Sequence, residues 1–233
     1  MGPYLERYLQ GECRGVWHDL LALSEQVRQE PVLSDASAVA HETMSRVREN
    51  LTTLDNRLQS MGYRYRNPSP AFLPPPPDVA TRIAELEARA GVLPLSLRAF
   101  YETVGSVDLT GEHPDWRGCD DPDALVVLPI ASALHELDDW EHDKKAYERA
   151  FGSFRVPIAP DHKHKENVSG GMWYGIGLPD PNADAILLEE YHNTTFVEYL
   201  RLCLQWGGFP RLEHADPTHT WPIEQLTLGL VDF

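Results

Sequence analysis

The chain has 233 residues, 42% of them hydrophobic and 24% charged, enough for one sizeable core or a core with an appendage. Its 36 acids outnumber the 20 lysines and arginines, and the net charge of −16 argues against direct binding to a phosphate backbone. No apolar run approaches the roughly 20 residues of a membrane span, and the opening MGPYLERYLQGE lacks an apolar signal core, so a cytoplasmic location without a membrane partner is expected.

The first elements read as an αα-hairpin. Val16, Leu20, Leu23 and Val27 step by helical intervals, and Pro31 breaks the run. Ser34 or Asp35 is expected to cap a second helix. Its stripe of Val47, Leu51, Leu54 and Leu58 ends at Gly62. Asn67 to Asp78, NPSPAFLPPPPD, holds six prolines and reads as an extended, stiff spacer. The expected organisation is a helical hairpin over 1–66, a linker over 67–78 and a main domain over 79–233.

Ile83, Leu86 and Ala90 then form a short helix stopped by Gly91. Pro94 opens another, lined by Leu97, Phe100, Tyr101 and Val104 and ended by Gly105. Ser106 to Leu109 can enter a strand. An acidic loop runs from Gly111 to Asp123, followed by the buried strand LVVLP at Leu125 to Pro129. Ser132 to Ala150 is expected as one highly charged helix. Phe154 to Ile158, Met172 to Leu178 and Ala185 to Glu189 read as strands, the last two as a hairpin through PDPNAD. A final helix carries Phe196, Leu200, Cys203 and Leu204 and stops at Gly207-Gly208-Phe209-Pro210. The tail is irregular but apolar enough to pack back. Strands grouped between helices predict an α+β fold: a mixed, mostly antiparallel sheet flanked by helices, behind an N-terminal αα-hairpin.

In this order, GVLPLSLRAFYETVGSVDLTG, HPDW, PDALVVLP, GGMWYGIGLPDPNAD and FVEYLRLCLQWGGFP resemble the SUKH superfamily. That group takes in fungal cell-wall-synthesis regulators and many bacterial immunity proteins. The resemblance covers about Val79 to Pro210. It implies a mixed sheet flanked by helices and no enzyme activity. For a bacterial member it implies binding and neutralisation of a cognate toxin, often a nuclease. Nucleases tend to be basic, which suits the charge distribution: −1 over residues 1–67, −9 over 68–150 and −6 over 151–233. A cellular scaffold or regulator like the fungal members is the alternative.

One surface is expected to meet such a basic protein partner. Asp115, Trp116, Asp120, Asp121 and Asp123 lie in one loop, and Asp138, Asp139, Trp140, Glu141 and Asp143 on the following helix. A tryptophan supplies contact area while carboxylates at the rim steer the encounter. The competing reading makes both tryptophans core residues with solvated acids beside them. No catalytic set, cofactor or metal is expected. Cys13, Cys119 and Cys203 are widely spaced and form no disulfide or zinc pattern. His162 and His164 would share a face in a strand, which makes a metal-dependent hydrolase a further alternative. Interleaved lysines, Pro160 before them and Gly170-Gly171 after them instead favour a polar loop. Ser169-Gly170-Gly171 lacks the context of a phosphate loop, and no GxSxG, HExxH or Rossmann fingerprint occurs.

Overall fold

In the computed structural model, which describes residues 2–67 and 70–233, the first apolar stripe is not one helix. Helix α1 spans Pro3–Leu9 and α2 spans Cys13–Ala22. Ser24 then takes a left-handed φ of 49°, and a 3-10 turn covers Ser24–Arg28. Helix α3 runs unbroken over Val32–Met61, thirty residues, and Gly62 closes it at φ 89°.

The expected cap of α3 is corrected. Ser34 Oγ donates to Glu30 instead, and the N-cap of α3 is Pro31. Asp35 serves a different helix: its carboxylate accepts from Tyr4 N at 2.8 Å and Leu5 N at 3.2 Å, the free amides at the start of α1. A capping residue was legible there, but the helix it serves is thirty residues away.

Strand β1, Arg64–Tyr65, follows α3. The proline-rich stretch is more than a spacer, since it contributes β2, Phe72–Leu73, to the sheet and buries Ala71. Pro68 and Ser69 of that stretch lie outside the described residues. Helices α4, Val79–Ala90, and α5, Leu95–Thr103, form where their stripes and glycine stops predict them. Strands β3, Ser106–Asp108, β4, Gly111–Glu112, and β5, Val126–Val127, come next. Gly105 has φ 92°, and an added Cβ there would stand 2.3 Å from Leu73 O, so the turn between α5 and β3 requires glycine on both counts.

The single charged helix expected over Ser132 to Ala150 is two: α6, Ile130–His142, and α7, Lys144–Phe151. Asp143 separates them. It leaves the helical region at φ −133°, ψ 57°, and its carboxylate caps α7 by accepting from Ala146 N. Strand β6 is Arg155–Ala159. The run expected as a loop after Pro160 contains α8, His162–Lys165. Strand β7 is Tyr174–Gly177. The strand expected at Ala185 to Glu189 is reduced to isolated bridges, Gly175 to Leu188 and Ile186 to Thr195. Helix α9, Phe196–Gln205, a 3-10 turn over Pro210–His214 and α10, Ile223–Thr227, complete the chain.

All named strand pairs among the described residues are antiparallel. The sheet orders are β2-β3-β5, β6-β7 and β1-β4. Leu128 N donates to Ile158 O at 2.7 Å and so ties the β5 end to β6. The α+β class is as expected, with helices flanking antiparallel strands, but the described strands form three small sheets rather than one mixed sheet.

The N-terminal helices pack on the rest. Helix α3 lies along α5 and also meets α1 and α10. Its buried stripe includes Val39, Met44, Val47, Leu51, Leu54 and Leu58. Polar links cross the same joint. His41 contacts Glu102 at 2.9 Å, and Arg28 donates to Pro181 O at 2.8 Å. The tail packs back as its apolar content predicts. Arg57 donates to Leu226 O at 2.8 Å, and the Asn50 amide closes both backbone groups of Val231. Asn50→Ala is expected to cost about 1–2 kcal/mol, since two hydrogen bonds are lost and no side chain replaces them. Hydrogen exchange at Val231 N–H would show its protection lost, and unchanged protection would contradict this role.

Candidate functional site

Helices α4 and α6 lie side by side, and the outward face of α6 is acidic. Arg89, in the last turn of α4, sits among three carboxylates. It meets Glu85 at 3.0 Å, Asp138 at 2.5 Å and Glu141 at 2.8 Å. Its hydrogen bonds hold Glu141 below the usual carboxylate range. One guanidinium cannot balance three carboxylates, and Asp139 and Asp143 lie exposed next to them. The face is therefore negative while its geometry is locally ordered.

Trp140 is half-buried at the edge of this face. Its ring centroid is 5.5 Å from that of Phe154, and the Lys144 ammonium lies 4.5 Å above the indole. The indole Nε1 is buried with no hydrogen-bond partner among the described residues.

The loop half of the expected surface is built differently. Trp116 is half-buried in an aromatic stack, 4.6 Å from His113, 4.8 Å from Trp221 and 5.5 Å from Tyr63 between ring centroids. His113 accepts from Asp115 N through Nδ1, so Nε2 carries the proton donated to Met61 O at 2.9 Å. The loop is stitched to the tail: Arg117 N donates to Thr220 Oγ1, and that hydroxyl donates to Asp115 O, both at 2.8 Å. Trp116 thus acts as packing between the loop and the tail. Asp115 and Asp120 remain exposed. Asp121 is engaged by Arg211 at 3.2 Å and by His162 at 3.6 Å.

Asp123 cannot serve as a rim charge, because it is fully buried. It accepts from Lys165 Nζ at 2.6 Å and from Tyr174 Oη at 3.1 Å, and the Lys165 side chain is fully buried as well. Of the ten expected residues, Asp138 and Glu141 are drawn together by Arg89. Of the loop members, Trp116, Asp121 and Asp123 are held by other neighbours, while Asp115 and Asp120 face solvent. Asp143 is occupied with capping α7.

His162 and His164 do not converge. Two residues apart on α8, they point about 200° apart around the axis. His162 faces Asp121, and His164 Nδ1 meets Asp161, the residue that caps α8. Among the described residues, no group of three or more His, Cys, Asp or Glu side chains is placed to hold a metal ion. None of the described helices is long and apolar enough to cross a membrane.

Sequence reading missed Arg89 and Lys165. The Glu85–Arg89 spacing of four residues was a visible signal for the first. Nothing local marks Lys165, whose partner is 42 positions away.

Fold and site define an α+β protein whose most distinct exposed chemistry is a carboxylate-rich helix face. No protein-family model matches the chain, and no curated protein matches it in sequence. The resemblance to the SUKH superfamily rests on the ordered segments alone.

Proposed function

We propose that the chain is a non-enzymatic protein-binding module of the SUKH type. Its cytoplasmic role is to bind a cognate toxin with a basic surface, nuclease-like in charge, and to block the toxin's active site sterically. The observation that carries this reading is the α4–α6 face. There Glu85, Asp138 and Glu141 surround a single arginine, with Asp139 exposed next to them, beside a half-buried tryptophan whose N–H has no partner among the described residues. Exposed carboxylates raise the encounter rate with a basic partner, and a partly buried indole supplies area at the centre of contact. The SUKH resemblance and the −9 charge of residues 68–150 support the same reading.

The test is co-purification with the product of a neighbouring toxin-like gene, together with protection of cells that express it. The Asp138→Lys, Asp139→Lys double variant leaves Glu141 in place to hold Arg89, so the fold is retained. Its association rate should fall about tenfold or more at low salt, with the gap narrowing as salt rises. Failure of the wild-type chain to form a complex or to protect cells would sink the proposal. Unchanged association of the double variant would move the interface off α6.

A further inference from the structure

His192 holds a carboxylate at each ring nitrogen. Nδ1 lies 2.6 Å from Glu190 Oε1, and Nε2 lies 2.6 Å from Glu213 Oε1. Glu190 belongs to the same turn and its side chain is fully buried. Glu213 lies across α9 in sequence, in the 3-10 turn Pro210–His214. Glu190 Oε2 also accepts from His192 N at 2.8 Å, so this carboxylate is fixed to both the ring and the backbone.

The proton count of this arrangement is unusual. A neutral imidazole has one N–H and one acceptor nitrogen, and an ionised carboxylate only accepts. Two hydrogen bonds to two carboxylates therefore need one proton more than a neutral ring supplies. We propose that Glu190, His192 and Glu213 form a proton-operated clasp. With the extra proton it ties the turn over residues 189–194 to the Pro210–His214 segment, and without it the turn is released.

The surrounding charges do not offer a substitute. Arg211 is committed to Asp121, which His162 also faces, and Lys165 is committed to Asp123. Glu189 pairs with Arg155. On the inner side, burial raises the Tyr174 phenol and the Cys203 thiol, with the Glu190 charge adding to it, so both stay neutral. His214 approaches the same Glu213 oxygen at 3.0 Å from the solvent side. Compensation of Glu190 and Glu213 thus falls to His192, with His214 as the outer partner of Glu213.

Burial alone lowers the tendency of His192 to hold its proton. The hydrogen bonds to Glu190 and Glu213 outweigh burial and raise it above the ordinary histidine value. A raised histidine contributes stability that is fully present below its unfolded value, and that is lost as pH rises through the folded one. The clasp is closed in acid and opens toward alkaline pH. Opening would free the turn that carries the exposed Tyr191, whose ring lies edge-on to His192 at 5.1 Å and His214 at 5.8 Å.

The experiment is an NMR titration of the ring nitrogens on the full chain, with amide hydrogen exchange followed in parallel. His192 should titrate above about 6.5, with both nitrogens protonated below its midpoint. Protection of His192 N–H, corrected for intrinsic exchange, should fall through the same midpoint. Glu213→Gln should move the midpoint down and loosen the turn. His192→Gln should leave the turn weakly protected at every pH. His214→Asn should leave the His192 titration in place. A midpoint at or below the ordinary value overturns the clasp, as does protection that is flat across the titration or a transition that vanishes with His214→Asn.

Discussion

Lys165→Met should destabilise the protein by about 3–5 kcal/mol, because it strands the Asp123 carboxylate in the interior. The pair is closed to solvent on both sides, with Nζ to Oδ1 at 2.6 Å, and among the described residues the remaining Asp123 oxygen takes only the Tyr174 hydroxyl, at 3.1 Å. Removing the cation leaves one hydrogen bond to compensate a buried charge. The double variant Asp123→Asn, Lys165→Met removes the charge as well. It keeps an acceptor for Tyr174, and asparagine tolerates the φ of 54° found at Asp123. It should recover most of the loss, since a buried pair replaced as a pair is often close to neutral. Unfolding in urea for both singles and the double would give the coupling directly. A single-variant cost below about 1 kcal/mol would mean the pair behaves like a solvated one.

Phe100→Ala should cost a similar about 3–5 kcal/mol, by leaving a cavity where three elements meet. Phe100 is fully buried on α5, the helix that packs against both α3 and α9, and its ring stands edge-on to Phe196 at 5.5 Å. The loss should be felt on both sides of the proline-rich stretch, because α3 and the sheet share this core. Thermal unfolding followed separately by probes in α3 and near Trp140 should show both transitions shifting together. If only the probe beyond residue 78 shifts, the N-terminal helices fold independently of Phe100.

Much of the local structure was legible in the chain. Glycine stops at Gly62, Gly91 and Gly105 mark helix ends because each holds a positive φ that side chains with a Cβ resist. The stripes of α3, α4, α5 and α9 follow the helical period and are buried as that period predicts. Strands β3, β5 and β7 fall inside the predicted apolar runs, and β6 overruns its own by one residue, Ala159. The errors have local causes too. Asp143 and Asp35 are short polar side chains that bond to backbone amides, and the helix each one caps depends on which free N–H groups come within reach.

The candidate site divides along the same line. Asp138 and Asp139 were legible as exposed, because helical spacing turns them away from the buried Ala133 and Leu137, whereas Glu141 follows Leu137 by four residues and its place is set by Arg89. Asp123 was counted with them since composition alone cannot tell a buried carboxylate from a solvated one. Trp116 and Trp140 looked alike in sequence, yet one packs a loop onto the tail while the other edges an acidic face.

By itself, then, the sequence determined the class of fold, the helix stripes and stops, and the excess of negative charge. These depend on neighbours a few residues away or on simple sums. Tertiary structure alone decided which charges are free. Arg89 takes up three acids of its own and a neighbouring helix, Lys165 neutralises Asp123 in the core, and His192 bridges Glu190 to Glu213 across α9. The energy of a charge depends on its partner and on its distance from water, and both are set by parts of the chain tens of residues apart.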